Sequence, residues 1–171
     1  MKAQEKKTII FKAAVNVLVQ KGITHFSIQN ICTEAGISKG GFLYHFSTKE
    51  DLLKGLEEYL AQLFRELIED ERKKRDSYAE AYIYACLTAA QRDESRAFSS
   101  LNSYNYLYEN SGAWQSFYSE IHEHLSKELP NDWITLIGLT TDGLWKNGQV
   151  YTEQELTSVQ YLLLDLIKKP S

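Results

Sequence analysis

Apolar residues recur at three- and four-residue spacing along nearly the whole chain. No segment alternates convincingly with the period of two that marks a strand. The first run, Lys6 to Lys21, sets Ile10, Ala13, Ala14, Val17 and Leu18 on one helical face, and Gly22 stands where a C-terminal cap belongs. Between Ser27 and Leu53 the pattern shortens. Ile28, Ile31 and Ala35 share a face behind Ser27, and Ala35-Gly36-Ile37 breaks the run. Ser38 then caps a second short helix that runs to Phe46. Ser47-Thr48-Lys49-Glu50 predicts a capping box of Ser47 with Glu50 at the start of a third.

That third helix is expected to run from Lys49 to about Arg75 on a stripe of Leu52, Leu53, Leu56, Leu60, Leu63, Leu67 and Ile68. Its end, Glu69 to Asp76, is a charge run of both signs and reads as a solvated helix terminus. Further helical patterns cover Tyr78 to Gln91, Ala97 to Tyr108 and Trp114 to Leu129, with Asn110-Ser111-Gly112 and Pro130 as punctuation. Asp132 to Asn147 follows, and Thr152 with Glu155 opens the last helix as a capping box. The fold class is therefore all-α, with about nine helices: a three-helix head over residues 1–48 and a larger helical body over residues 49–171.

The last two helices carry more apolar surface than a terminal hairpin of a monomer buries easily. Trp133, Ile137, Thr141 and Leu144 on one, and Val159, Leu162, Leu163 and Leu166 on the other, are the candidates for a four-helix dimer interface.

Helix, glycine turn, second short helix is the outline of a DNA-binding helix-turn-helix. Two adjacent glycines, Gly40 and Gly41, begin the second helix, where each costs about 1 kcal/mol relative to alanine. Such a turn suits close approach to another surface, such as base edges on a groove floor. Phe42 and Phe46 read instead as core wedges.

Charge agrees with this division. Residues 1–50 hold seven Lys or Arg against three Asp or Glu, whereas residues 51–171 hold twelve against twenty. The net charge of −4 is thus a basic head on an acidic body. A chain of 171 residues that is 43% hydrophobic is long and apolar enough for a real core. No apolar run reaches the ~18 residues of a membrane span. Lys12 and Asn16 interrupt what would otherwise resemble a signal peptide, so a cytoplasmic protein is expected. Cys32 and Cys86, in separate helices, read as small buried residues and imply no disulfide framework.

Enzymatic readings find little support. His122 and His124 are two apart, where a zinc-binding helix needs four, and no nucleophile elbow, P-loop or dinucleotide fingerprint is present. No metal or cofactor is called for. Tyrosines and other rings crowd residues 78 to 118 and suit a pocket for an apolar or aromatic small molecule. Its candidates are Tyr82, Tyr104, Tyr108, Trp114, Phe117 and Tyr118, with Glu109 or Glu120 available to a cationic compound.

The head closely resembles the TetR family of transcriptional regulators. The likeness rests on Ile9–Leu18, Gly22, Phe26-Ser27, Ile28, Ile31 and Ala35-Gly36-Ile37-Ser38-Lys39-Gly40. It continues through Phe42-Leu43-Tyr44-His45-Phe46, Lys49-Glu50 and Leu52-Leu53. The resemblance implies a homodimer that binds a double-stranded, roughly palindromic operator. It also implies a small-molecule effector in the body, acting on the heads through the long fourth helix. It puts Lys39, Gly40, Gly41 and Leu43, behind the cap Ser38, on the groove-facing side. Ser27, Tyr44, His45 and Lys49 match phosphate-contacting positions. Gly41 departs from the many members that carry a base-reading side chain there, which leaves more of the specificity to shape and backbone contacts. Activation rather than repression, effector-independent DNA binding, and a protein-binding adaptor that has lost DNA binding remain the alternatives.

Overall fold

The computed structural model describes residues 3–102, 112–146 and 150–168. Among them every regular element is helical: α1 (Ala3–Lys21), α2 (Ile28–Ala35), α3 (Lys39–Leu43), α4 (Lys49–Arg72), α5 (Tyr78–Ala90), α6 (Asp93–Asn102), α7 (Gly112–Leu125), α8 (Asn131–Lys146) and α9 (Glu153–Ile167), with a 3-10 turn at Ile23–His25. The all-α expectation is met. None of these helices is long and apolar enough to cross a membrane.

In the head, α1 lies across α2. The face expected from its periodicity is the one buried, with Ile10, Ala13, Ala14, Val17 and Leu18 all at 5% exposure or less. Phe11 joins them and meets Phe46 at 5.4 Å between ring centroids. The fourth helix begins at Lys49 as expected, but its cap lies one residue later than the sequence suggests. Thr48, not Ser47, is the cap: its hydroxyl accepts from the amide of Asp51, and the Asp51 carboxylate accepts from the amide of Thr48. Ser47…Glu50 and Thr48…Asp51 are overlapping candidate boxes offset by one residue. Burial of Phe46 and Leu52 on either side of the turn goes with the second register.

Gly55 lets α4 press against the head. A Cβ there would stand 3.1 Å from the Phe11 ring and 3.2 Å from the Phe46 ring. Beyond it α4 buries Leu56, Leu60, Ala61, Phe64 and Ile68, while Leu63 and Leu67 are only half-buried. The charged end is paired within itself, Arg72 with Glu69, Lys73 with Asp70 and Lys74 with Glu71.

The body is built around α5. It is buried nearly all round, from Tyr78 and Ala79 through Tyr82, Ile83, Ala85 and Cys86 to Ala89, because α4, α8 and α9 pack on it from different sides. Its N-terminus is closed by a residue distant in sequence. The Glu128 carboxylate accepts from the Ser77 hydroxyl at 2.7 Å and from the amides of Tyr78 at 2.8 Å and Ala79 at 3.1 Å. Burial opposes ionisation of Glu128, but these hydrogen bonds outweigh it and hold the carboxyl below the usual carboxylate range. Helix α6 starts at Asp93, four residues earlier than expected, and packs on both α1 and α8.

The expected dimer residues need correcting on α8 and partly on α9. Ile137, Thr141, Leu144 and Leu163 are turned into the protomer's own core, at 5% exposure or less. Trp133, Val159 and Leu166 are intermediate. What the hairpin presents outward is Leu136, Leu139, Tyr161 and Leu162, at 49%, 69%, 70% and 64% exposure. Helix α8 carries two apolar faces, and periodicity alone does not say which one its own core takes.

Candidate nucleic-acid interface and effector cavity

Ser27 is extended (φ −133°, ψ 153°), and its hydroxyl accepts from the Asn30 amide at 3.2 Å to start α2. The Asn30 side chain ties this corner back to the His25 carbonyl at 2.7 Å. Helix α2 stops at Gly36, which is left-handed (φ 65°, ψ 34°), a conformation that favours glycine. The turn is fastened by the Ile37 amide, which donates to the Cys32 carbonyl at 3.0 Å. Ser38 then accepts from the Gly41 amide at 3.0 Å and starts α3.

This second helix is short, ending at Leu43, although the Tyr44 amide still reaches the Gly40 carbonyl at 3.1 Å. Phe42 is wholly buried and Phe46 nearly so, 5.8 Å apart, so the wedges fix how deeply α3 is seated. Everything on the other side faces out. Lys39, Gly40 and Gly41 are exposed, Leu43 is 42% exposed and Tyr44 82%. A Cβ on Gly40 would touch only Ser38 Oγ at 4.0 Å, and one on Gly41 the same atom at 3.3 Å. No residue across the fold therefore demands these two glycines.

His45 is half-buried, its ring edge-on to Tyr44 at 5.0 Å. Lys49 lies at the first position of α4 with its ammonium 5.2 Å from the Phe26 ring centroid, and Lys7 sits 5.6 Å from that of Phe46. The first amides of α2, α3 and α4 are partial positive charges of the kind that phosphates meet.

The body holds a small aromatic-lined cavity of about 30 Å³. Helix α4 lines it with Leu60, Leu63, Phe64 and Leu67, α5 with Ala89, and α6 with Glu94, Ser95 and Phe98. Trp114 of α7 and Trp145 of α8 close it. The rings form one cluster. Phe98 is 4.5 Å from Trp114 and 5.1 Å from Trp145, and Phe64 stacks on Trp145 at 5.0 Å. Both indole Nε1–H groups are buried, and neither has an acceptor among the described residues.

Of the sequence-derived pocket candidates among the described residues, Trp114 lines this cavity. Tyr82 is a core residue whose hydroxyl lies 3.2 Å from Thr141 Oγ1, and burial pushes its pKa well above that of free tyrosine. Phe117 is buried behind Trp114 and lines a separate groove between α4 and α7. The Tyr118 hydroxyl donates to Asp142 at 3.3 Å. Tyr104 and Tyr108, like Glu109, lie outside the described residues. Glu120 is held by Arg65 at 2.8 Å rather than left for a cation. The missed residues, Phe64, Phe98 and Trp145, sit on three different helices. Only their aromatic character marked them in the sequence.

The sequence model of bacterial regulatory proteins of the tetR family matches residues 10–56, the span from α1 to the Gly55 contact. YerO of Bacillus subtilis (strain 168), an uncharacterized HTH-type transcriptional regulator, is 46% identical over 55 residues, 32% of this chain and 19% of that protein. YuxN of the same organism, also an uncharacterized HTH-type regulator, is 35% identical over 79 residues, 46% of this chain and 27% of its own length. The chain thus matches about a fifth to a quarter of these relatives' lengths. Over the whole fold, a Rhodococcus protein assigned to the TetR-family transcriptional regulators superposes with a TM-score of 0.69 at 20% identity, over 97% of this chain and 100% of that one. The multidrug binding protein EbrR, complexed with malachite green, superposes with a TM-score of 0.64 at 17% identity, over 96% of this chain and 99% of its own.

Proposed function

Because residues 10–56 belong to the tetR family of bacterial regulatory proteins, we propose that the chain is a dimeric transcriptional repressor released from a palindromic operator by a small, largely apolar molecule. The observation that carries the reading is the outward face of α3. A flat, nearly side-chain-free first turn at Gly40 and Gly41 is held forward by the buried Phe42 and flanked by Lys39, Leu43 and Tyr44.

Such a face fits a groove floor. The Lys39 ammonium can donate to guanine O6 and N7 or to a phosphate. The Tyr44 hydroxyl and the His45 ring donate to phosphate oxygens, and the Ser27 and Lys49 helix starts lie where the backbone passes. Few side-chain atoms are left to read bases, so groove shape and deformability carry much of the specificity.

The exposed leucines of α8 and α9 support pairing through a four-helix bundle, which sets two heads about 34–36 Å apart, one helical turn, or a multiple of that. The aromatic cavity supports an effector site, as does the malachite green held by a neighbour of the same fold. Two routes lead from cavity to head. Helix α4 lines the cavity at one end and supports Phe11 and Phe46 through Gly55 at the other. Helix α6 lines the cavity with Phe98 and Ser95 while packing on α1. A molecule that parts α4 from α6 changes the angle of the head.

The test is selection of bound fragments from genomic DNA, followed by a gel shift on the recovered duplex. Tyr44→Ala with Lys39→Ala should weaken binding to all sequences and lower the slope of log K against log salt by about one for each phosphate contact removed. Unchanged affinity and slope in this variant would remove α3 from the interface. Absence of any salt-dependent DNA binding by the parent protein would leave the helix-turn-helix as a scaffold for protein contacts.

A further inference from the structure

A leucine on a groove-facing helix has no group that can bond a phosphate or a polar base edge. Resting on the reading of α3 as that helix, we propose that Leu43 reads thymine. Its side chain packs on the C5-methyl group of a thymine in each operator half-site and selects that base there.

Leu43 is not a stray surface leucine. Among the described residues of the head, the exposed large apolar side chains are Ile9, Leu43 and Tyr44. Two of these three stand side by side at the end of α3. The residue before them, Phe42, is wholly buried, so the seating of that wedge holds Leu43 outward at 42% exposure.

Helical side chains lean toward the N-terminus, which lays Leu43 over the turn that carries Lys39 and Gly40. Gly40 is three positions back, and a Cβ there would meet nothing nearer than Ser38 Oγ at 4.0 Å. The absent side chain leaves bare backbone beside the leucine, and a small apolar group can rest against both.

The base edges of the major groove supply one such group, the thymine methyl. Cytosine and adenine turn an amino group into the groove instead. Over either of them Leu43 would cover a donor and offer it no acceptor, which forfeits a hydrogen bond that water or a polar side chain would make. The leucine therefore both favours thymine and penalises the bases that could replace it.

The test is uracil replacement, because uracil keeps every hydrogen-bonding group of thymine and lacks only the methyl. In the operator duplex recovered by genomic selection, each thymine is replaced in turn, at the symmetric positions of both half-sites together. Affinity is measured by gel shift at fixed salt. One position should lose about four-fold per half-site and about fifteen-fold for the two together, the worth of a buried methyl. At that position, replacement by cytosine should cost more than replacement by uracil.

In Leu43→Ala and Leu43→Gln the uracil penalty at that position should fall below about two-fold. Both variants leave Phe42 and Phe46 in place, and the scan on the parent protein stands whether or not they fold well. A parent protein indifferent to uracil at every position, or a half-site without thymine, would overturn the proposal. A penalty that persists undiminished in both variants would assign the methyl to another side chain and overturn it too. The outcome is separable from that of the DNA-binding reading. Salt-dependent binding that ignores uracil sinks only the thymine assignment, whereas absence of salt-dependent DNA binding sinks the groove-facing role of α3 and this assignment with it.

Discussion

Replacing Leu139 and Leu162 together by serine should dissolve the proposed dimer and leave the protomer folded. The two side chains are 69% and 64% exposed in the single chain, so about two-thirds of each remains to be covered by a partner. Fully burying a leucine contributes roughly 2 kcal/mol, which makes each of these worth about 1.3 kcal/mol on docking. A two-fold axis uses every residue twice, so the double substitution removes about 5 kcal/mol from association, or between three and four powers of ten in the dissociation constant. Because neither side chain belongs to the core, the protomer's secondary structure should not change.

Ile137→Ala is the counterpart. Ile137 is wholly buried against its own protomer, and its truncation should lower folding stability by about 2–5 kcal/mol without a comparable direct effect on pairing. Sedimentation equilibrium across protein concentration reads the first effect, and urea unfolding of the monomeric double variant, with and without Ile137→Ala, reads the second. If the Leu139/Leu162 variant stays as dimeric as the parent, the outward leucines are not the interface.

Three further outcomes follow from local geometry. Gly40→Ala places its methyl in open space 4.0 Å from Ser38 Oγ, so it should raise stability by about 0.4–1 kcal/mol while weakening operator binding; unchanged affinity in a gel shift would mean that DNA does not approach this turn closely. Glu128→Gln should cost about 1 kcal/mol at pH 7, the scale of a lost helix cap. The Glu128 carboxyl is held below its ordinary value in the fold, so its contribution is complete above about pH 4.3 and is lost as pH falls through the folded value; parent and variant should therefore converge in acid urea titrations, and a constant gap would remove the carboxylate from that cap. Burial pushes the Cys86 thiol up to about 12 and also raises that of Cys32, so a thiol reagent should label neither in the native protein and both in urea; rapid native labelling would contradict the buried positions.

The sequence by itself determined the helices, most of their caps and the plan of the head, because these depend on neighbours three or four residues away. Ser27, Gly36 and Ser38 each do in the fold what their residue type and position implied. The 3.6-residue period was enough to put Ile10, Val17 and Leu18 inside, since α1 has one apolar face to bury.

Tertiary structure decided what local pattern leaves degenerate. At the start of α4 the local pattern pointed to Ser47 with Glu50, and the fold used the overlapping pair Thr48 with Asp51. Helix α8 offered two apolar faces, and packing on α5 and α6 took Ile137, Thr141 and Leu144 and left Leu136 and Leu139 outside. The cavity is further still from sequence. Phe64, Phe98, Trp114 and Trp145 come from four helices, and only their convergence distinguishes a pocket wall from the tyrosines of α5 that fill ordinary core. Even at the start of α5, where Ser77 caps the Glu80 amide locally, the amides of Tyr78 and Ala79 are taken by Glu128 from beyond the end of α7. Contacts between residues dozens of positions apart are set by how helices cross, and no period within one helix encodes that.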